Sequence, residues 1–340
     1  MFMSNVVLTS GYRTLGSDFK LNDSFLTSKD GFAVCESSRA CLTHCLTYQI
    51  AIDPAYAHLF DEYYSKSLRM FREEIAGPLD IGNSALYFGG IFMCIISFNR
   101  LLPWSNHLHA LFSLIQSQID PAVYCRDKKA LEFMSALGFL DLPTHTIGRK
   151  TMYHQIWHAY CRGQSGVDEV SGLPFSLLDL LSAIGDLEIE GALLSWQPEA
   201  GRSAQRCLWE ATRFAGVLCV RAKRAELHQS LPSNSTLGLS TEYLVESVLS
   251  SVKRCLACIP PELSHFKQAL LYPLVMAAAQ RDVLSEPMKE HICQTIQDLA
   301  SERNFFHYRG VWRVVCEYWA GADESIESTA RRLDIELALV

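Results

Sequence analysis

Gly172-Leu-Pro-Phe-Ser-Leu-Leu-Asp-Leu-Leu-Ser-Ala-Ile-Gly-Asp-Leu187 is the stretch whose reading decides the fold. Pro174 stands at a position that suits a first helical turn, where its missing N–H has no intrahelical partner. Leu177, Leu180, Leu181, Ile184 and Leu187 then recur with the 3.6-residue period of one apolar helix face. The spacing predicts a buried helix running on to about Trp196, stopped by Pro198 and Gly201.

The same period extends in both directions. Before the run it predicts helices over Arg39–Ile50, Ala55–Ile75, Ser84–Leu101, Asn106–Ile119, Lys128–Asp141 and Met152–Cys161. After it come Ser203–His228, Thr241–Cys258, Phe266–Arg281, Glu286–Glu302, Tyr308–Trp319 and Glu324–Leu339. Pro103, Pro121, Pro143 and Pro260-Pro261 fall between these segments, where helices break. Period-2 alternation is almost absent, so strands are not expected. The expected fold class is all-α: one large irregular bundle or array of roughly a dozen helices over residues 31–340. Residues 1–30, rich in Ser, Thr, Asn, Asp and Gly, read as a flexible N-terminal arm.

Composition narrows the function classes. With 340 residues, 49% of them hydrophobic and 20% charged, the chain has material for a sizeable core. A net charge of −7 is a poor match for duplex DNA, whose binders neutralise phosphates with Lys and Arg. Direct nucleic-acid binding is therefore not expected. Met1–Ser10 lacks a basic region followed by an apolar core, and Ala85–Phe98 is shorter than a membrane span. Twelve cysteines spread from Cys35 to Cys316 read as small core residues in a reducing compartment, not as a disulfide framework. The expected location is nuclear or cytoplasmic.

Few residues carry recognisable chemistry. His154 and His158 stand at i and i+4, a spacing that holds a transition metal on one helix face. Gln155 occupies the place where a metalloprotease needs Glu, so two hydrogen-bonded histidines on an aromatic helix is the ordinary reading. Cys255 and Cys258 form the one CxxC, with no second pair to complete a zinc site, and read as inner-face residues. Asp186, Glu188 and Glu190 read as a solvated acidic face. Arg206, Arg213, Arg221 and Arg224 fall on one stripe of Ser203–His228, a candidate surface for a ligand or an acidic partner, with Glu210 placed to pair with Arg206 and Arg213. No phosphate-binding glycine loop and no nucleophile elbow occurs. No metal and no cofactor is expected.

Several segments, in order, resemble the regulatory domain of fungal zinc-cluster transcription factors. Gly172–Leu187 is similar to that domain's G-(I/L/V)-P-x-x-L-L helix. Trp104-Ser-Asn-His-Leu108 with Ala110 and Leu114-Ile115 resembles its W-x-x-H-L helix. Phe139-Leu-Asp141 with Gly148-Arg149, then Leu270-Leu-Tyr-Pro-Leu274 with Ala277 and Ala278, and finally Asn304, Trp312, Trp319 and Asp323 resemble later segments. The resemblance runs from about residue 85 to 325 and implies an all-α regulatory domain. Family members carry a six-cysteine zinc cluster and a basic segment, and this sequence has neither. It reads as starting directly at the regulatory region.

The resemblance therefore implies a transcription-regulator-like protein without its own DNA-binding domain, in fungal specialised metabolism. It would act through a protein partner, a zinc-cluster regulator, or through an apolar small molecule, and a homodimer is a further expectation. The alternative is that the helical scaffold encloses an apolar pocket and works as a cofactor-independent cyclase, pericyclase such as a Diels-Alderase, or isomerase, accelerating its reaction by positioning. His154, His158, Tyr160 and Asp141 are the catalytic candidates in that case.

Overall fold

The computed structural model describes Thr47 and residues 54–76, 84–168, 170–186, 188–226, 238–259, 267–302, 306–321, 323 and 325–339. The arm expected over residues 1–30, Leu187, Asn304 and, apart from Thr47, the helix expected over Arg39–Ile50 lie outside these residues. The described chain is all-α, with strand confined to two short segments among the described residues. No described helix is long and apolar enough to cross a membrane.

One helix organises the core. α8 (Ser203–Glu226) has Ala211, Thr212, Phe214, Ala215, Gly216, Val217, Leu218, Cys219 and Val220 all buried, so its middle turns are covered on every side. α9 (Thr241–Cys258) lies along it, started by the Ser240 hydroxyl accepting from the Tyr243 N–H. α10 (Leu271–Ala278) is buried at every residue and closes a further side of α8.

The decisive run Gly172–Leu187 packs on the same helix, but as two pieces. α6 (Phe175–Ser182) ends one turn early, and α7 (Ile189–Ser195) restarts after it. A single helix reaching Trp196 is therefore corrected. At the break the Asp186 carboxylate accepts the Glu188 N–H at 3.0 Å, an Asx-type turn that competes with helix continuation beside Gly185. The split lets Leu181 of α6 and Leu193 of α7 converge on Gly216, where an added Cβ would sit 3.0 Å and 3.4 Å from them. Ahead of α6, the Trp209 indole N–H donates to the Gly172 carbonyl at 2.8 Å, tying the loop to α8. Asp179, the polar residue within α6, accepts from Trp157 Nε1 and the Gly163 N–H.

The first half of the chain builds a second layer. α1 (Phe60–Ala76), α2 (Ser84–Asn99) and α3 (Ser105–Gln118) meet at Tyr64, whose hydroxyl lies 3.0 Å from Ser97 Oγ and 3.0 Å from His107 Nε2. Phe60, Phe92, Met93 and Ile96 form a small core of their own there. A one-turn helix α4 (Pro121–Tyr124) leads into α5 (Lys128–Leu140).

The last third, α11 (Glu286–Glu302), α12 (Phe306–Trp319) and α13 (Ile326–Arg332), returns the chain to this layer. The helix expected over Glu324–Leu339 stops at Arg332, because Asp334 takes a left-handed φ of 56°. The tail then forms β2 (Leu337–Ala338), antiparallel to β1 (Thr146–Ile147), with Thr146 opposite Ala338.

Gly148 sits where this tail crosses. Its φ is +71°, and a Cβ there would lie 2.2 Å from the Ile335 carbonyl oxygen. Backbone strain and collision act together. Gly148→Ala is expected to lower unfolding free energy by about 2–4 kcal/mol, read by urea denaturation. An unchanged midpoint would show that the tail does not press on this loop.

Candidate functional site

The chemistry-bearing residues gather where the tail meets the segment after α5. α5 begins at Asp127, whose carboxylate caps the Ala130 N–H, and ends at Asp141. Asp141 is 1% exposed. Its carboxylate accepts from Arg149 Nη2 at 2.7 Å, from the His154 N–H at 3.0 Å and from the Ile156 N–H at 3.1 Å. Arg149 also donates from Nε to the Thr151 carbonyl and from Nη2 to the Met152 carbonyl, and its guanidinium lies 4.1 Å over the Tyr153 ring.

A second buried carboxylate lies beside the first. Glu336, also 1% exposed, accepts the Ser105 N–H at 3.1 Å and the Lys150 N–H at 3.0 Å. Ser105 is the first residue of α3, so the tail caps a helix 231 positions earlier in the chain, with a negative charge at the positive end of the helix. Glu327 of α13 accepts the Gly148 N–H at 3.0 Å, and Lys150 pairs with Asp334. Three buried polar atoms beside this knot, Trp104 Nε1, Ser105 Oγ and Arg149 Nη1, have no hydrogen-bond partner among the described residues.

The predicted helix Met152–Cys161 is corrected. Residues 152–155 have no regular secondary structure, Gln155 takes a left-handed φ of 54°, and only a short π-helical turn, Trp157–Cys161, follows. Asp141 takes the His154 N–H and also the Ile156 N–H, which a continuous helix would have bonded to the Met152 carbonyl. His154 and His158 consequently do not share a helix face. His154 Nε2 lies 2.8 Å from His109 Nδ1 on α3, and burial lowers the His154 pKa below its usual value. His158 is exposed beside Arg162, while Tyr160 is half-buried with its ring 6.0 Å from Phe112. Asp141 thus meets His154 through the backbone N–H and through its charge, the His154 and Tyr160 rings both lie against Phe112, and His158 is exposed beside Arg162.

The arginine stripe faces inward for most of its length. Arg221 Nε and Arg224 Nη1 hold the two oxygens of Glu190 at 2.8 Å and 2.6 Å. Burial alone would raise the Glu190 carboxyl, but the Arg224 and Arg221 hydrogen bonds outweigh it and hold it below its ordinary value. Glu190 therefore leaves the solvated face expected of it and binds α7 to α8. Arg213 donates to the Leu194 carbonyl at 2.9 Å at the end of α7 and pairs with Glu210. Arg206 is exposed. Of the CxxC, Cys255 is buried and donates to the Ala204 carbonyl, whereas Cys258 is exposed, so the two do not share the inner face. The described cysteines are free thiols, and burial pushes Cys161 and Cys255 up to about 12.

Among the described residues no group of three or more His, Cys, Asp or Glu side chains is placed to hold a metal ion. A groove of about 680 Å³ runs along α11, lined by Glu286, Lys289, Glu290, His291, Gln294 and Trp319 among others. Comparison with family models, curated proteins and solved structures finds no match for this chain.

Sequence reasoning missed Glu336 and His109, and it misread Glu190 as solvated. Each is an ordinary polar residue in a helix or tail pattern, and its partner lies far off in the chain.

Two outcomes test this geometry. Asp141→Ala leaves the buried Arg149 without its counter-charge and is expected to cost about 3–5 kcal/mol in chemical denaturation. Half-buried against Tyr64, His107 has its pKa lowered to about 4 by desolvation. An unfolded histidine near 6.5 binds a proton that the folded one refuses, so stability is full above pH 6.5 and falls between pH 6.5 and 4. His107→Gln is expected to flatten that decline by roughly 3 kcal/mol between those limits, measured by urea midpoints across pH. An equal slope in both proteins would contradict the assignment.

Proposed function

We propose that this chain is a regulatory-type helical module that acts through a protein partner and performs no turnover of its own. The observation that carries the reading is that the catalytic candidates are engaged by the fold and do not all converge. Asp141 is engaged by three donors, His154 by His109, Tyr160 packs against Phe112 beside His154, and His158 is exposed beside Arg162. A positioning catalyst needs its groups to converge on one cavity.

The groove along α11 supports the same reading. It is open, and acidic, basic and amide side chains line it around the Trp319 ring. An aromatic anchor within a polar rim suits a protein segment better than an apolar polyene. The ordered resemblance to fungal regulatory domains supports a zinc-cluster regulator as the partner class and specialised metabolism as the setting. The nucleus or the cytoplasm is compatible with that role. The acidic net charge accords with leaving DNA contact to the partner.

The test has two arms. The purified chain is incubated with metabolite extract from a host lacking its gene, and separately passed over an immobilised zinc-cluster regulator from the same host. The expected result is an unchanged metabolite profile with retention of the chain, and about tenfold weaker retention for Lys289→Glu in the groove. A metabolite consumed or formed in proportion to added protein would overturn the proposal in favour of the cyclase or isomerase alternative.

A further inference from the structure

We propose that the start of α8 and the last turns of α9 form a basic face that docks an acidic segment of a protein partner. The starting observation is how these two helices meet. The Cys255 thiol, near the end of α9, donates to the Ala204 carbonyl at the start of α8 at 3.4 Å. The helices therefore run antiparallel, and a step back along α9 is a step forward along α8. Arg254 reaches back one turn along α9, where its Nη2 donates to Ser251 Oγ at 3.0 Å. Its guanidinium thus comes beside the second turn of α8. The Arg254 and Arg206 charges both act on the half-buried Cys207 thiol of that turn, with Glu210 close by. Arg202 and Lys253 add further exposed positive charge at the same helix ends.

The fold leaves these charges without counter-ions. Arg206, Lys253 and Arg254 make no ion pair among the described residues. Glu210, one turn beyond Arg206, pairs with Arg213 at 3.1 Å instead. Arg213, Arg221 and Arg224 bond within the fold, so Arg206 is the member of the sequence-predicted stripe that stays exposed. Like charges gathered without counter-charge repel one another. A chain of net charge −7 does not assemble such a face through a basic composition. An acidic occupant removes the repulsion.

The arrangement selects the occupant. Guanidinium forks match carboxylates in geometry and charge. Charges spread over two helices suit a run of Asp and Glu side chains, not one small anion. Duplex DNA binders neutralise many phosphates, and the acidic chain as a whole repels them. A lipid surface asks for a larger basic cluster or for apolar anchors beside it. The large hydrophobic residues exposed among the described residues are Val123, Met152 and Tyr243, and none belongs to these turns. This face lies on other helices than the α11 groove, and its occupant need not be the groove's.

The experiment uses the full chain and a fluorescein-labelled oligo-glutamate peptide, followed by anisotropy. The expected result is saturable binding that weakens as added salt screens it. Backbone amide resonances that move on peptide addition are expected in the first two turns of α8 and the last two turns of α9. Arg206→Glu and Arg254→Glu are each expected to weaken binding by about tenfold while retaining wild-type circular dichroism, and Arg254→Gln by less. Arg126→Glu, which reverses an exposed charge in the turn between α4 and α5, is expected to leave binding unchanged. No binding, amide shifts confined to other helices, an equal loss in Arg126→Glu, or a DNA duplex or phosphatidylserine vesicle held as tightly as the peptide would each overturn the proposal.

Discussion

A carboxylate taken out of water must have its oxygens filled by donors, and two such carboxylates organise one end of this protein. Asp141 and Glu336 are both buried, and between them they accept the backbone N–H groups of Ser105, Lys150, His154 and Ile156 together with the Arg149 guanidinium. Those donors belong to the start of α3, the loop after β1 and the irregular run that leads into the π-helical turn. The donors have no competing helix or sheet partners, so the carboxylates decide the path of the backbone. Removing one acceptor would strand a charge or several N–H groups in the interior, which costs more than the bonds contribute net.

The same device recurs on α8. Glu190 is drawn inward by Arg221 and Arg224, and Arg213 closes the end of α7. The arginine stripe thus serves to seat a short helix on the central one. This consumption of charge bears on function. Three of the four arginines that a ligand or acidic partner was expected to meet are occupied inside the fold.

Much of the helical framework was legible because it rests on local periodicity. Thr241–Cys258 and Glu286–Glu302 have the bounds that their apolar period predicts. The misreadings fall where one residue adopts a left-handed backbone or a remote charge intervenes. Gln155 broke the helix that would have aligned His154 with His158, Asp334 turned an expected helix into a strand, and the Asp186 turn divided the Gly172 run. Apolar spacing carries no record of these events, since a glutamine or aspartate at positive φ reads like any polar helix residue. Candidate chemistry fared less well for a related reason. Glu336 meets Ser105 across 231 positions, and His154 meets His109 across 45, separations that no local motif spans.

The central claim is that buried carboxylates, more than helix packing alone, hold this end of the fold together. Native-state hydrogen exchange at the amides of Ser105, Lys150, His154 and Ile156 tests it most directly. The account predicts that these four loop and helix-start amides exchange as slowly as the core amides of α8, through global unfolding. Exchange at the rate of an exposed loop, with α8 still protected, would contradict it.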